Sequence, residues 1–152
     1  MCARRERMSV CTLIAADCPL ESHEPEKEYG VHFNIDTGVI DDGNTDDNFY
    51  LRPFSNIGHY SGKVYGVALE WFKYTEGRGE RIIAYIRRCL EQVEEVELCR
   101  VWLSDYDPPR IHRQRVSIDE MRPADIYKLE QEVIWTDPAS NQPTWHYLII
   151  TR

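Results

Sequence analysis

The sequence predicts an α+β domain: a mixed or antiparallel sheet of about six strands with two helices packed on one face. Three observations carry that reading. Lys63 to Tyr74 alternates apolar and small or polar residues, with Tyr65, Val67, Leu69 and Trp71 on one face and Gly66, Ala68 and Glu70 on the other, the period of a strand. Glu80 to Val93 carries Ile82, Ile83, Ile86, Cys89, Leu90 and Val93 at three- and four-residue spacing, a single helical stripe. The elements also run in the order strands, helix, strands, helix, strand. Clustered strands with interspersed helices point away from a regular parallel βαβ array.

The other elements follow in chain order. Cys11 to Ala16 is short, apolar and ended by Asp17; it reads as a first strand rather than the core of a signal peptide. Pro19 to Glu28 is polar, contains Pro19 and Pro25, and reads as a loop. Tyr29 to Ile35 places Val31, Phe33 and Ile35 on one face and is expected to be a half-buried strand. Asp36-Thr37-Gly38 is a turn, and Val39-Ile40 starts a short return strand. Asp41 to Asn48 is a loop, and Phe49 to Phe54 a short strand broken by Pro53. Val96 to Leu103 has apolar residues on both faces, which suits a central strand. Asp105 to Pro109 is a loop, and Ile111 to Val116 a charged strand near an edge. Two helix starts compete after it. Ser117 to Glu120 has capping-box spacing, whereas Pro123 suits a first turn, with Asp125 placed to meet the dipole. A start at Ser117 would put Pro123 in the second turn, so the start near Pro123 is preferred, with Ile126, Leu129 and Val133 as its stripe. Thr136 to Thr144 is a loop, and Trp145 to Thr151 the closing strand. Neither repeat nor linker divides residues 1–152, which read as one domain. Residues 1–8 read as a leader outside it, Met8 being an alternative start.

Composition sets further bounds. The chain has 152 residues, 42% hydrophobic and 29% charged, ordinary for a protein with a proper core and wrong for a disordered one. No apolar run approaches the roughly 20 residues of a membrane span. The five cysteines are odd in number, and Cys11, Cys89 and Cys99 sit in apolar segments; all five are expected to be reduced thiols in a cytoplasmic protein. The net charge of −8 is unevenly spread. Between Asp17 and Tyr50, ten acids face one base, Lys27, which leaves −9; elsewhere sixteen acids and seventeen bases leave +1. A field of that sign repels nucleic acid through this region and attracts a basic partner.

Chemical motifs are sparse. Asp41, Asp42, Asp46 and Asp47 are oxygen ligands in principle. In an EF-hand frame counted back from Gly43, however, the first, third and fifth positions are Gly38, Ile40 and Asp42, and the pattern fails. A solvated loop or a partner contact is the plainer reading, and no metal or cofactor is expected. The histidines His23, His32, His59, His112 and His146 form no zinc-binding spacing, and no serine has the nucleophile-elbow motif. A cysteine–histidine pair assembled by the fold has no local mark. Gly77-Arg78-Gly79 lacks the rest of a dinucleotide fingerprint and any P-loop lysine, so a turn is the plain reading. Glu70, Trp71, Tyr74, Trp102, Asp105, Tyr106 and Asp107 form an aromatic and charged set. Within it Tyr74, Asp105, Tyr106 and Asp107 fall at strand ends, where loops meet partners.

In size, acidity and its acid-rich loop Asp41 to Asp47, the chain resembles the immunity proteins of bacterial toxin systems. The resemblance is one of texture across the chain and implies a binding function. Such proteins block a cognate toxin, often a basic nuclease, with carboxylates taking the place of phosphates and charge steering the encounter. The expected contact set is therefore Asp41, Asp42, Asp46, Asp47, Tyr74, Asp105, Tyr106 and Asp107, with a basic protein as partner and neither nucleic acid nor membrane. Two other classes stay open: a metal-assisted hydrolase built on Asp41, Asp42, Asp46 or Asp47, and a small-ligand sensor with an aromatic-lined pocket.

Overall fold

The computed structural model describes residues 10–103, 108–137 and 139–152. Its centre is a six-stranded sheet assembled from β1 (Val10–Ala16), β4 (Tyr50–Pro53), β5 (Tyr65–Glu70), β6 (Glu95–Trp102), β7 (Arg110–Ser117) and β8 (Thr144–Thr151), with β2 (His32–Phe33) and β3 (Ile40–Asp41) forming a separate hairpin. The order across the sheet is β4-β5-β1-β6-β8-β7. Every neighbouring pair is antiparallel except β7 and β8. Helices α1 (Glu76–Cys89) and α2 (Pro123–Gln131) connect β5 to β6 and β7 to β8. Each is a crossover, the connection that strands running the same way require. The predicted class, α+β with a mixed sheet of six strands and two helices, is the class observed.

Both faces of the sheet centre are buried. On the helix side Ile14, Val67, Leu69, Val96, Leu98 and Ile150 meet Ile82, Ile86, Ile126 and Leu129. On the other side Leu13, Ala15, Cys99, Val101, Tyr147 and Ile149 are covered by Ile57 and Tyr60, the first residue of a short 3₁₀ turn, Ile57–His59, and the residue that follows it. Gly66 makes that cover possible: a Cβ there would stand 2.6 Å from the Ile57 side chain. The four described cysteines are buried. Burial raises the Cys89 thiol to about 12 and also raises Cys99, which leaves both as poor nucleophiles.

Several elements differ from expectation for identifiable reasons. Helix α1 is capped by Thr75, whose hydroxyl accepts the Arg78 N–H at 3.2 Å, so Gly77 and Gly79 lie in the helix rather than in a turn before it. Asp46 and Pro123 explain both glycines: a Cβ on Gly77 would stand 2.0 Å from Asp46 Oδ1, and one on Gly79 would stand 2.9 Å from Pro123 Cβ. Helix α2 starts at Pro123 as expected, with the Asp125 carboxylate accepting the Arg122 N–H at 2.8 Å. It ends before Val133, which is 58% exposed and outside the stripe. The largest departure is Tyr29 to Ile35. Only His32–Phe33 pairs, and it pairs with β3 rather than with the main sheet. With no layer to pack against, Phe33 is 61% and Ile35 84% exposed; the alternation is present and the burial is not.

Ile86 is fully buried beneath α1. Ile86→Asp should cost more than about 3 kcal/mol, since it buries an unpaired charge or expels the stripe. Val133→Asp should stay within about 0.5 kcal/mol. Urea unfolding of both variants checks the pair, and equal midpoints would show that the stripe is not core.

Candidate partner-binding site

The acid loop is built around a buried ion pair. Arg78, in the first turn of α1, and Asp42 have side chains 0% and 1% exposed and meet at 2.8 Å. The guanidinium also donates to the carbonyls of Thr45 at 3.0 Å and Lys73 at 2.9 Å. Asp42 in turn accepts the Asn44 N–H at 3.2 Å and the Asn48 side-chain amide at 2.8 Å. A planar cation with several fixed donors can serve three acceptors at once, which a lysine ammonium cannot do in this geometry. Burial works against the Asp42 charge, but the bond from Arg78, the Asn44 N–H and the Arg78 charge outweigh it and hold the carboxyl below its ordinary range. Gly43, at φ 84°, and Asn44, at φ 58°, let the chain turn back on itself after Asp42.

From this anchor the bonding reaches outward. Asp47 accepts the Glu26 N–H and the Tyr29 hydroxyl, each at 3.0 Å, and its carbonyl meets His23 Nε2 at 3.0 Å. The Glu26 N–H first, and Tyr29 after it, lower the Asp47 carboxyl, whereas burial acts against them. The loop thus ties down residues 23–29, which lead into the hairpin. The hairpin closes on itself: the Asn34 side chain accepts the Asp36 and Thr37 N–H groups at 3.0 and 3.2 Å, and Gly38 supplies the left-handed turn at φ 71°. Phe33 stands opposite Ile40 in the hairpin, and Val31, Phe33, Ile35 and Ile40, in it and beside it, are all exposed.

Beside the hairpin lies a groove of about 420 Å³ lined by Glu28, Val31, Tyr50, Glu70, Trp71 and Phe72, among others. Arg52 meets Glu70 Oε1 at 3.0 Å and lies over the Tyr50 ring at 4.3 Å. The other carboxylate oxygen, Glu70 Oε2, is buried and has no hydrogen-bond partner. Aromatic faces beside an unsatisfied carboxylate oxygen suit a cation.

The structure divides the expected contact residues. Asp42, expected on the surface, is buried, with its carboxylate bonded to Arg78, Asn44 and Asn48. Asp46 is exposed and lies on Gly77 at the start of α1, where the helix dipole favours an anion. Asp41 and Asp47 are partly exposed, and Asp47 is already bonded twice. Tyr74 sits between the helices, against Gly79 and 5.2 Å from the Tyr127 ring; burial, then Glu76 and Glu80, raises its hydroxyl. Asp105, Tyr106 and Asp107 lie outside the described residues. Among those described, no group of three or more His, Cys, Asp or Glu is arranged to hold a metal ion.

Strand register also assembles a row that sequence reasoning missed. Thr12, Arg100, His146 and His112 stand side by side across β1, β6, β8 and β7 on the face under α2. Glu130 accepts from Trp71 Nε1 at 3.0 Å and Thr12 Oγ1 at 3.4 Å. Burial raises its carboxyl, against the pull of Trp71, Arg100 and Thr12; burial likewise lowers Arg100. Arg100 donates to the Glu132 carbonyl at 2.9 Å, which caps the end of α2. The only signal in the sequence was polar residues at apolar phases of three strands, which acquires meaning once the register is known.

Removing Arg78 leaves Asp42 buried and unpaired, so Arg78→Met should cost about 3–5 kcal/mol, with Arg78→Lys recovering little of it. Because the Asp42 carboxyl is lowered in the folded state, its contribution is complete above the unfolded value near pH 4 and is lost as pH falls through the lower folded value. The stability lead of the parent over Asp42→Asn should therefore be full at neutral pH and shrink below about pH 4. Chemical unfolding across a pH series measures it, and a lead independent of pH would show that the charge of Asp42 contributes nothing.

No known family model, curated protein or solved structure matches this chain.

Proposed function

We propose that this chain is an acidic protein-binding module that recognises a basic protein through the hairpin face Val31, Phe33, Ile35 and Ile40 and the adjoining groove. One observation supports this above the others: Val31, Phe33, Ile35 and Ile40 are all exposed, within the most acidic segment of the chain. Exposed apolar side chains rimmed by charge mark interaction surfaces. Glu24, Glu26, Glu28 and Asp36 surround the hairpin and are exposed, so the preferred occupant is cationic and partly apolar. A lysine or arginine of the partner would enter the groove toward Glu70, with Tyr50, Trp71 and Phe72 around its stem. Occlusion of a basic active site, as in the immunity-type proteins that the chain resembles, is the mode of action that fits. The two parts act on different rates. Clustered surface charge acts mainly on association, and buried apolar anchors act mainly on dissociation.

The test is affinity capture from the native source on the parent and on Phe33→Ser/Ile40→Ser, followed by kinetics with the protein captured. A protein of basic pI should be retained by the parent and lost by the variant. Replacing Glu24, Glu26, Glu28 and Asp36 with their amides should slow association about tenfold or more at low salt. The gap should close at high salt, because screening at about 0.15 M acts over roughly 8 Å. Equal retention by parent and hairpin variant, or equal association rates at low salt, would refute the module.

A further inference from the structure

The cleft between α2 and the β7–β8 edge holds an unmet hydrogen-bonding requirement at His146. This residue is 6% exposed. Its Nε2 lies 2.9 Å from the Val133 carbonyl, which can only accept, so Nε2 carries a hydrogen, and in the neutral tautomer this leaves a lone pair at Nδ1. Nδ1 is buried and has no partner. The nearest charged atom is Glu132 Oε2 at 3.6 Å, which is another acceptor and too far for a hydrogen bond. Two acceptors face each other, one of them shut away from water, and a donor is missing between them. The cleft around them measures about 320 Å³, within the size range of small-ligand sites. Leu129 and Leu148 supply apolar wall, and His112 borders it with its ring 5.5 Å from that of His146.

The charges along the cleft narrow the ligand. Arg115 is engaged with Glu95 at 3.5 Å, and Asp125 accepts the Arg122 N–H. Lys128, on α2, and Glu132, just past its end, also line the cleft and are charged. We infer that this cleft binds a small amino acid, with its ammonium seated between His146 Nδ1 and Glu132 and its carboxylate met by Lys128. An ammonium brings three donors and a positive charge to two acceptors, one of them anionic. A short aliphatic body covers Leu129 and Leu148. The site lies at the opposite edge of the sheet from the hairpin and stands independently of the partner-binding reading.

The test uses the full chain near pH 7 with four probes: 4-aminobutyrate, L-alanine, n-butylamine, which lacks the carboxylate, and butyrate, which lacks the ammonium. Amide and imidazole NMR shifts follow each titration to about 10 mM, a concentration that reports millimolar binding. The two amino acids should shift His146 and its cleft neighbours in a saturable way, n-butylamine more weakly, and butyrate not at all. His146→Gln keeps a side-chain N–H for the Val133 carbonyl and removes the Nδ1 acceptor; Glu132→Gln removes the charge at a half-exposed position. Each should weaken 4-aminobutyrate binding about tenfold or more, with the thermal midpoint of Glu132→Gln close to the parent's. Lys128→Met should weaken 4-aminobutyrate and leave n-butylamine unchanged. No saturable shift with either amino acid would overturn the inference, as would shifts that survive His146→Gln. So would imidazole ¹⁵N shifts showing a proton already on Nδ1 in the free protein, since the site would then need no donor.

Discussion

The Arg78–Asp42 pair is the constraint on which the rest of the acidic half depends. Buried ion pairs are weak devices for stability alone, because desolvating two charges offsets much of their attraction. Their use here is positional. Arg78 is fixed by the first turn of α1, and its donors reach Asp42, Thr45 and Lys73; one side chain thereby joins the acid loop, the segment after β5 and the helix start. Asp47 then extends the fixed framework to Glu26 and Tyr29. The hairpin adds no strand to the main sheet, so this chain of polar contacts sets where its apolar face stands. Two glycines in α1 follow from the same requirement, since Asp46 and Pro123 approach the helix backbone too closely for a side chain.

At the other edge, α2 ends over polar residues instead of the core. Arg100 caps its last carbonyl, and Glu130 gathers Trp71 and Thr12. These contacts explain why Thr12 and Arg100 occupy inward-facing positions that apolar residues would otherwise fill: the end of a helix brings carbonyls that need donors. They do not account for His146. Its Nε2 bond to Val133 fixes the ring and at the same time turns Nδ1 toward Glu132.

The elements legible in the sequence were those that pack. Val96 to Leu103 read as central because both of its faces are apolar, and β6 lies between β1 and β8. Ile111 to Val116 read as an edge because it is charged, and β7 is the outermost strand. Pro123 announced α2. Tyr29 to Ile35 misled because periodicity reports which residues share a face and is silent on what covers that face. Asp42 was indistinguishable from Asp41, Asp46 and Asp47 by composition; its burial depends on Arg78, which lies 36 positions away. The row under α2 was hidden for the same reason, since its neighbours are set by strand register rather than by sequence distance.

Edge protection explains why recognition should fall to the hairpin. An unprotected sheet edge would invite a partner to add a strand. Here β4 ends in Pro53, which has no N–H to offer. The opposite edge, β7, carries Arg110, His112, Arg113 and Arg115, all exposed, and charges of this kind deter strand addition. The same arginines leave the molecule electrically lopsided, with a basic edge strand at one side and the −9 segment at the other. On the proposed reading, a basic partner would be repelled from β7 and drawn toward the hairpin, so the field would set orientation before any contact formed. Val31, Phe33, Ile35 and Ile40 are what such a partner would meet on arrival, beside a loop that is itself held by Arg78.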